Sequence, residues 1–372
     1  MSMVGRQKRC ANNPGDVVEE VVLGVDTHLD VHVAVALDGL GRRLGELAVP
    51  TTEKGYESLI CWAEGFGRVR GAGVEGTSSY GAGLTRHLRA VGIRVLEVER
   101  PKRRHLRRKG KSDSRDAEGA ARTLLAGETA GEPKSADGRV EMIRVLRAAR
   151  RSAVKARTQA ANQLRGVRVT APEALRRRLR SFSTKELVAV AARFRPGGNP
   201  GGVEEATRFA LRSVARRYQA LSEEIAVLDV QLDRLVAETA PELTSLPAIG
   251  TDHAATLLMV AGDNPERLGS EASFASLCGV SPVEASSGKV VRHRLNRGGN
   301  RDANRALHLI CVVRMRIDER TRRYAARRAS EGKSKKEIIR CLKRYVAREV
   351  YRVLTTSVDF ADSPRKRDAS PL

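Results

Sequence analysis

The chain has 372 residues, enough for two or three domains, and at 41% hydrophobic residues it can bury real cores. Its formal net charge is +24 and its isoelectric point lies near 10.6, so a polyanion is the natural partner. Aromatic residues make up only 3%, which argues against base stacking as the main source of affinity and leaves that role to phosphate contacts. Five cysteines (Cys10, Cys61, Cys278, Cys311 and Cys341), odd in number and without CxxC spacing, fit a reduced cytoplasmic protein better than a zinc site or a disulfide framework. No long apolar run and no signal-peptide core point to a membrane.

In chain order, residues 1–20 are polar and read as disordered. Three short apolar strands follow, at Val21–Val25, Val31–Val35 and Leu44–Val49, close enough together to form an antiparallel meander. An amphipathic helix at 52–65, a strand ending in Gly73-Val-Glu75, a helix near 80–92 and a strand at Ile93–Val98 complete a mixed sheet with helices packed on it. Lys111-Ser-Asp-Ser-Arg-Asp-Ala117 then opens a short helix. Ser112 or Ser114 can cap it, Ala117, Ala120, Ala121 and Leu124 give it a side to bury, and Gly127 stops it.

Four acids stand out in this part. Asp26 and Glu75 each follow an apolar run where a buried strand reaches the sheet edge, and ligands of such sheets bind at strand ends. Asp113 and Asp116, three residues apart, project from one face of the helix start. Gathered together, four carboxylates cannot all stay ionised without cations, so the cluster implies a divalent metal, Mg²⁺ or Mn²⁺, suited to phosphoryl transfer. Lys and Arg crowd 102–115 around the helix start, as a nucleic acid backbone would require. His28, two residues after Asp26, reads as a surface histidine.

Residues 141–194 are helical and basic, with Arg144, Arg147, Arg151 and Lys155 forming one stripe suited to tracking phosphates. After the breaker Pro196–Gly202, the series Leu211, Val214, Tyr218, Leu221, Ile225, Leu228, Leu232 and Leu235 keeps a 3-4 rhythm like a coiled-coil seam. It either folds back on the preceding helix or joins two subunits. Leu246-Pro-Ala-Ile-Gly250 resembles the loop of a helix-hairpin-helix, or is a plain helix N-terminus. In Ala285-Ser-Ser-Gly-Lys289, a serine beside glycine with arginines near it can serve as a nucleophile toward a phosphate, although this is also a common loop composition. A basic helical end from Arg314 to Val350 and a disordered tail follow.

With Gly-Val-Asp-Thr-His28, Val-Glu-Gly-Thr-Ser-Ser-Tyr80 and Lys-Ser-Asp-Ser-Arg-Asp-Ala117 in this order, the chain resembles the DEDD transposases of insertion sequences, the IS one-ten family. Leu-Pro-Ala-Ile-Gly250, the Phe274–Pro282 stretch, Ser-Ser-Gly-Lys289 and Leu-Asn-Arg-Gly-Gly-Asn-Arg301 extend the resemblance over roughly 21–355. It implies an α/β RNase H-like (RuvC-like) catalytic domain at 21–130 and a mostly α remainder: a helical hairpin or coiled-coil arm at 141–240 and a C-terminal transposase domain at 241–355, before a tail at 356–372. It assigns Asp26, Glu75, Asp113 and Asp116 to the metal-binding tetrad and Ser287 to the nucleophile that forms a phosphoserine link to DNA, with Ser286 beside it as the competing position. It further implies donor and target DNA, an element-encoded structured guide RNA that pairs with them, and a dimer or tetramer. The competing expectations are a RuvC-like junction resolvase that hydrolyses DNA without a covalent link, and a non-catalytic nucleic-acid-binding protein.

Overall fold

In a computed structural model of the chain, the described residues are 18–98, 112–128, 131–198, 200–288, 293–296 and 298–356. The basic run at 102–111, most of the polar start and nearly all of the tail lie outside them. The described chain divides into two compact units. One holds the residues up to Gly138 together with Ala261–Gly269, and the other holds Arg139–Val260 and the chain from Ser270 onward.

The first unit is built on a five-stranded mixed sheet. Strands β1 (Glu20–Thr27), β2 (Val31–Asp38) and β3 (Arg43–Pro50) form the expected antiparallel meander, and β4 (Arg68–Glu75) and β5 (Val95–Val98) add in parallel, giving the order β3-β2-β1-β4-β5. Because side chains alternate along a strand, β1 sends Val21, Leu23 and Val25 to one face and Val22 to the other. Helices α1 (Glu53–Glu64) and α2 (Ala82–Ala90) cover the first face with Leu59, Leu84 and Leu88. Helix α3 (Asp113–Leu125) covers the second through Ala117 and Ala121. A central strand buried on both sides explains why Val21–Val25 is apolar without interruption. This mixed sheet between helices fits the α/β class expected for an RNase H-like domain.

The second unit is helical apart from one small hairpin. The basic region at 141–194 is three helices: α4 (Arg139–Thr170), α5 (Glu173–Leu179) and α6 (Thr184–Ala192). The first break precedes Pro172, whose ring disfavours helical backbone in the residue before it. The last helix starts at a capping box between Ser183 and Glu186. Helix α7 (Val203–Thr239) carries the long apolar rhythm and packs on α4 of the same chain, burying Leu211, Ile225, Leu232 and Leu235. Of the two arrangements open in the sequence, this is the fold-back one.

The arginine stripe on α4 departs from the expectation of a free phosphate-tracking face. Arg144 pairs with Glu141 at 2.7 Å, Arg151 with Asp302 at 3.1 Å, and Arg147 approaches Asp252 at 3.6 Å. Arg150, beside the stripe, pairs with Asp229. Most of these carboxylates arrive from distant parts of the chain, so helical spacing alone could not reveal that the stripe is largely neutralised. Arg157 lies over the Tyr218 ring, and Arg168 donates to the Phe182 carbonyl at 2.8 Å.

Beyond α8 (Pro241–Ser245) and α9 (Thr251–Ala261) come α10 (Glu271–Leu277), the two short strands β6 (Pro282–Glu284) and β7 (His293–Leu295), and helices α11 (Arg301–Ile317), α12 (Glu319–Ser330) and α13 (Lys335–Thr356). The three-residue strands are too short to leave a periodic signal, which is why the sequence reads as loop there. No helix among the described residues is long and apolar enough to cross a membrane.

Candidate metal centre

Strands β1 and β4 run side by side and parallel, with Val25 opposite Val74, so the next residues, Asp26 and Glu75, emerge at the same edge of the sheet. The Thr27 hydroxyl donates to the Glu75 carbonyl at 2.8 Å and ties the two strand ends together. The third contributor is α3, and two glycines let it approach. A Cβ on Gly24 would sit 2.0 Å from the Ala117 carbonyl oxygen, and one on Gly73 would sit 2.6 Å from that of Ala120. Bare backbone on the strands and alanine on the helix therefore let α3 lie against the sheet, with its first turn over the end of β1.

That first turn carries Asp113 and Asp116. Its anchoring differs from the expected serine cap. Ser112 stands at the N-cap without a side-chain bond to the helix, while the Ser114 hydroxyl donates to Glu46 on β3 at 2.7 Å and accepts from Arg43 at 2.9 Å. Arg43 also reaches Glu118 at 3.6 Å, so a bridge of charged groups holds the start of the helix to the edge of the meander.

Asp26 is the buried member of the group, 6% exposed. Burial is the largest influence on its carboxyl and pushes its pKa above the usual 3.8. Glu75, Asp113 and Asp116 each raise it further, and only His28 pulls it down. Glu75, Asp113 and Asp116, the other sequence-selected acids of the first unit, thus each lie within electrostatic reach of Asp26. His28 is 41% exposed at its side chain, as a surface histidine would be, but its Nε2 lies 3.3 Å from an Asp26 oxygen and 3.4 Å from an Asp113 oxygen. Asp26, His28 and Asp113 offer donor atoms within 4.8 Å of one another. The signal for His28 was present in the sequence: residues i and i+2 leaving a strand share a face. His28 is positioned in turn by His32, which is wholly buried; the His28 backbone N–H points to the His32 Nδ1 at 3.4 Å, and the His32 ring stacks on Tyr56.

The group fits a hard divalent cation. Oδ2 of Asp26, the oxygen that His28 Nε2 approaches, is buried with no hydrogen bond among the described residues, although a buried carboxylate oxygen ordinarily has one. The donors are mostly carboxylate oxygens, which suit Mg²⁺ or Mn²⁺, and one imidazole, which suits Mn²⁺ better than Mg²⁺.

Ser287 belongs to the second unit. It is exposed in the turn between β6 and β7, ahead of Gly288, whose φ of 54° is a left-handed value. Ser286 is exposed beside it.

Two family models match this chain. One, described as a DEDD transposase of the IS110 type, covers residues 23–168 and so includes Asp26, Glu75, Asp113 and Asp116. The other, described as a transposase of the IS116/IS110/IS902 family, covers residues 240–326 and includes Ser287. An uncharacterised 43.6 kDa protein of insertion element IS110 from Streptomyces coelicolor is 34% identical over 125 residues, a match spanning 33% of this chain and 31% of that protein. The matched stretch is therefore about a third of the relative's length. With family models meeting it in both units, the chain belongs to the IS110 family of transposases.

Proposed function

We propose that the protein is the transposase of an insertion sequence, cutting and rejoining DNA strands by phosphoryl transfer. The observation that carries this reading is the placement of Glu75, Asp113 and Asp116 around the buried carboxylate of Asp26, whose Oδ2 is approached by His28 Nε2 and has no hydrogen bond among the described residues. On this reading the first unit is an RNase H-like domain and the paired helices α4 and α7 are a coiled-coil arm. The four acids hold Mg²⁺ or Mn²⁺, with His28 as an added donor. When bound, the cation supplies charge stabilisation at the reacting phosphate. Asp26 provides the fixed, desolvated carboxylate, and Asp113 and Asp116, on a helix start tied to β3, provide the ones that face solvent and substrate.

Ser287 is the nucleophile. Its Oγ forms a bond to phosphorus as one strand P–O bond breaks. The hydroxyl proton passes to solvent or a base, and the released strand oxygen takes up a proton. The phosphoserine conserves the energy of the broken ester, so rejoining needs no further energy source. Sequence choice rests on a structured guide RNA that pairs with donor and target DNA, the protein reading backbone shape, and the working unit is a dimer or tetramer.

The test incubates purified protein with Mg²⁺, the element's flanking RNA and end-labelled junction DNA, and looks for a protein–DNA adduct that survives denaturant. The expected adduct is lost with Ser287→Ala, retained with Ser286→Ala, and absent with Asp113→Ala. Cleavage without an adduct in any protein would replace this reading with hydrolysis by a junction resolvase.

A further inference from the structure

A second feature, in the helical unit, is not used by the acid site. A cleft of about 1110 Å³ opens between β6–β7 and helices α12 and α13. Its wall includes Ala285, two residues before Ser287, and its cations include Arg294, Lys333, Arg340, Lys343 and Arg344. Among the described residues the single acid lining it is Glu337, whose carboxylate already accepts from the Ser334 backbone and hydroxyl at 2.9 and 2.6 Å. Arg344 is paired with Glu271. Arg294, Arg340 and Lys343 form no ion pair among the described residues.

Lys343 is the informative one. It is only 7% exposed, yet its ammonium donates to the Asn304 Oδ1 at 2.8 Å and faces no carboxylate partner among the described residues. Asn304 is itself fixed, its amide nitrogen donating to the carbonyls of Cys278 and Gly279 at 3.1 and 2.8 Å. Burial disfavours the charged lysine and lowers its pKa. A desolvated cation with a single neutral acceptor is costly by itself and is offset when an anion enters beside it. Next to it, Tyr324 and Tyr345 meet edge to face with ring centres 5.4 Å apart, and Arg327 and Arg348 lie over the two rings. In a chain with so few aromatics, two tyrosines in a basic cleft are a specific local feature, and Tyr345 is 47% exposed.

We infer that this cleft seats a single-stranded DNA segment, a phosphodiester lying against Arg294, Arg340 and the buried Lys343 and a neighbouring base against Tyr345. The inference rests on the transposase reading for the identity of the strand, since the cleft borders the loop that carries Ser287.

The experiment measures binding of full-length protein to a fluorescein-labelled oligodeoxythymidylate by anisotropy across a salt series. Parent, Arg340→Gln, Tyr345→Ala, Lys343→Met and, as a charge-matched control outside the cleft, Arg86→Gln are compared. Tyr345→Ala should weaken binding about tenfold, the usual scale of one lost base stack. Arg340→Gln should weaken it and lower the slope of log affinity against log salt by about 0.7, one phosphate contact. Arg86→Gln should bind as the parent does. Arg340 and Tyr345 are exposed, so their variants keep the test decisive even if Lys343→Met fails to fold. Parent-like affinity and slope in Arg340→Gln and Tyr345→Ala overturn the inference, as does a defect seen only with the matching oligouridylate. If those two variants bind like the parent and still form the serine–DNA adduct, the cleft assignment falls and the transposase reading stands. If they bind weakly while the parent forms no adduct, the cleft stands and the transposase reading falls.

Discussion

The carboxylates at the strand ends and the arginines along α4 are both clusters of like charge, and the protein treats them in opposite ways. On α4, Arg144, Arg150 and Arg151 each have a carboxylate within ion-pairing distance, drawn from the same helix or from Asp229 and Asp302 elsewhere. At the strand ends and the start of α3, Glu75, Asp113 and Asp116 each oppose the charge of Asp26, and His28 is the described group that relieves it. Repulsion that folding keeps at a buried carboxylate is what the proposed cation would relieve. A charge stripe with local partners marks packing. The same contrast separates Arg151 from Lys343: the first is exposed and paired, the second buried and held by an amide alone.

The largest effect is expected when α3 is pushed off the sheet. Gly24→Ala places a methyl against the backbone of α3 at Ala117 and Ala121, and should cost about 3 kcal/mol, at the upper end for overpacking. A thermal melt would register this, and an unchanged melting temperature would mean that the close approach of helix and strand does not position the site. Asp113→Ala should leave the melt nearly untouched, because its side chain is half exposed, yet lower strand cleavage by roughly hundredfold or more, the scale of losing one preorganised charge-stabilising group.

Asp26 makes the stability of the first unit depend on pH. Its carboxyl titrates above 3.8 because of burial and three neighbouring carboxylates, so its ionisation opposes folding. That cost is absent below 3.8, grows as pH rises through that value, and is complete above the raised folded value. Without divalent cation, Asp26→Asn should therefore melt at or above the parent at neutral pH, and the difference should close toward acid. Added Mg²⁺ or Mn²⁺ should raise the melting temperature of the parent and not that of Asp26→Asn. A variant that melts well below the parent at neutral pH would show that Asp26 acts in the fold instead of opposing it. The smallest effect belongs to Arg151→Gln. With the arginine 76% exposed, its pair with Asp302 should contribute no more than about 0.5 kcal/mol, and chemical denaturation should barely distinguish the variant.

Much of this arrangement was legible before any coordinates. The short apolar runs of β1, β2 and β3 in close succession announced an antiparallel meander. Acids placed just after such runs, and again on a helix start, announced a site at the sheet edge. Contacts between residues far apart in the chain leave no local signal. His28 looked like an ordinary surface histidine because the second carboxylate beside it, Asp113, lies far along the chain. Ser112 looked like a cap, but Ser114 does the anchoring by bonding to Glu46 across the fold. The hairpin of β6 and β7 left no periodic trace at three residues per strand.

Sequence alone determined the strands of the first sheet and the apolar faces of α3 and α7, and it singled out four acids as candidates, because local periodicity and strand-end position depend on neighbours in the chain. Only the tertiary structure decided which charges are compensated. That depends on Coulomb interactions that fall off over a few ångströms, between residues such as Arg151 and Asp302, or Lys343 and Asn304, that the sequence holds far apart.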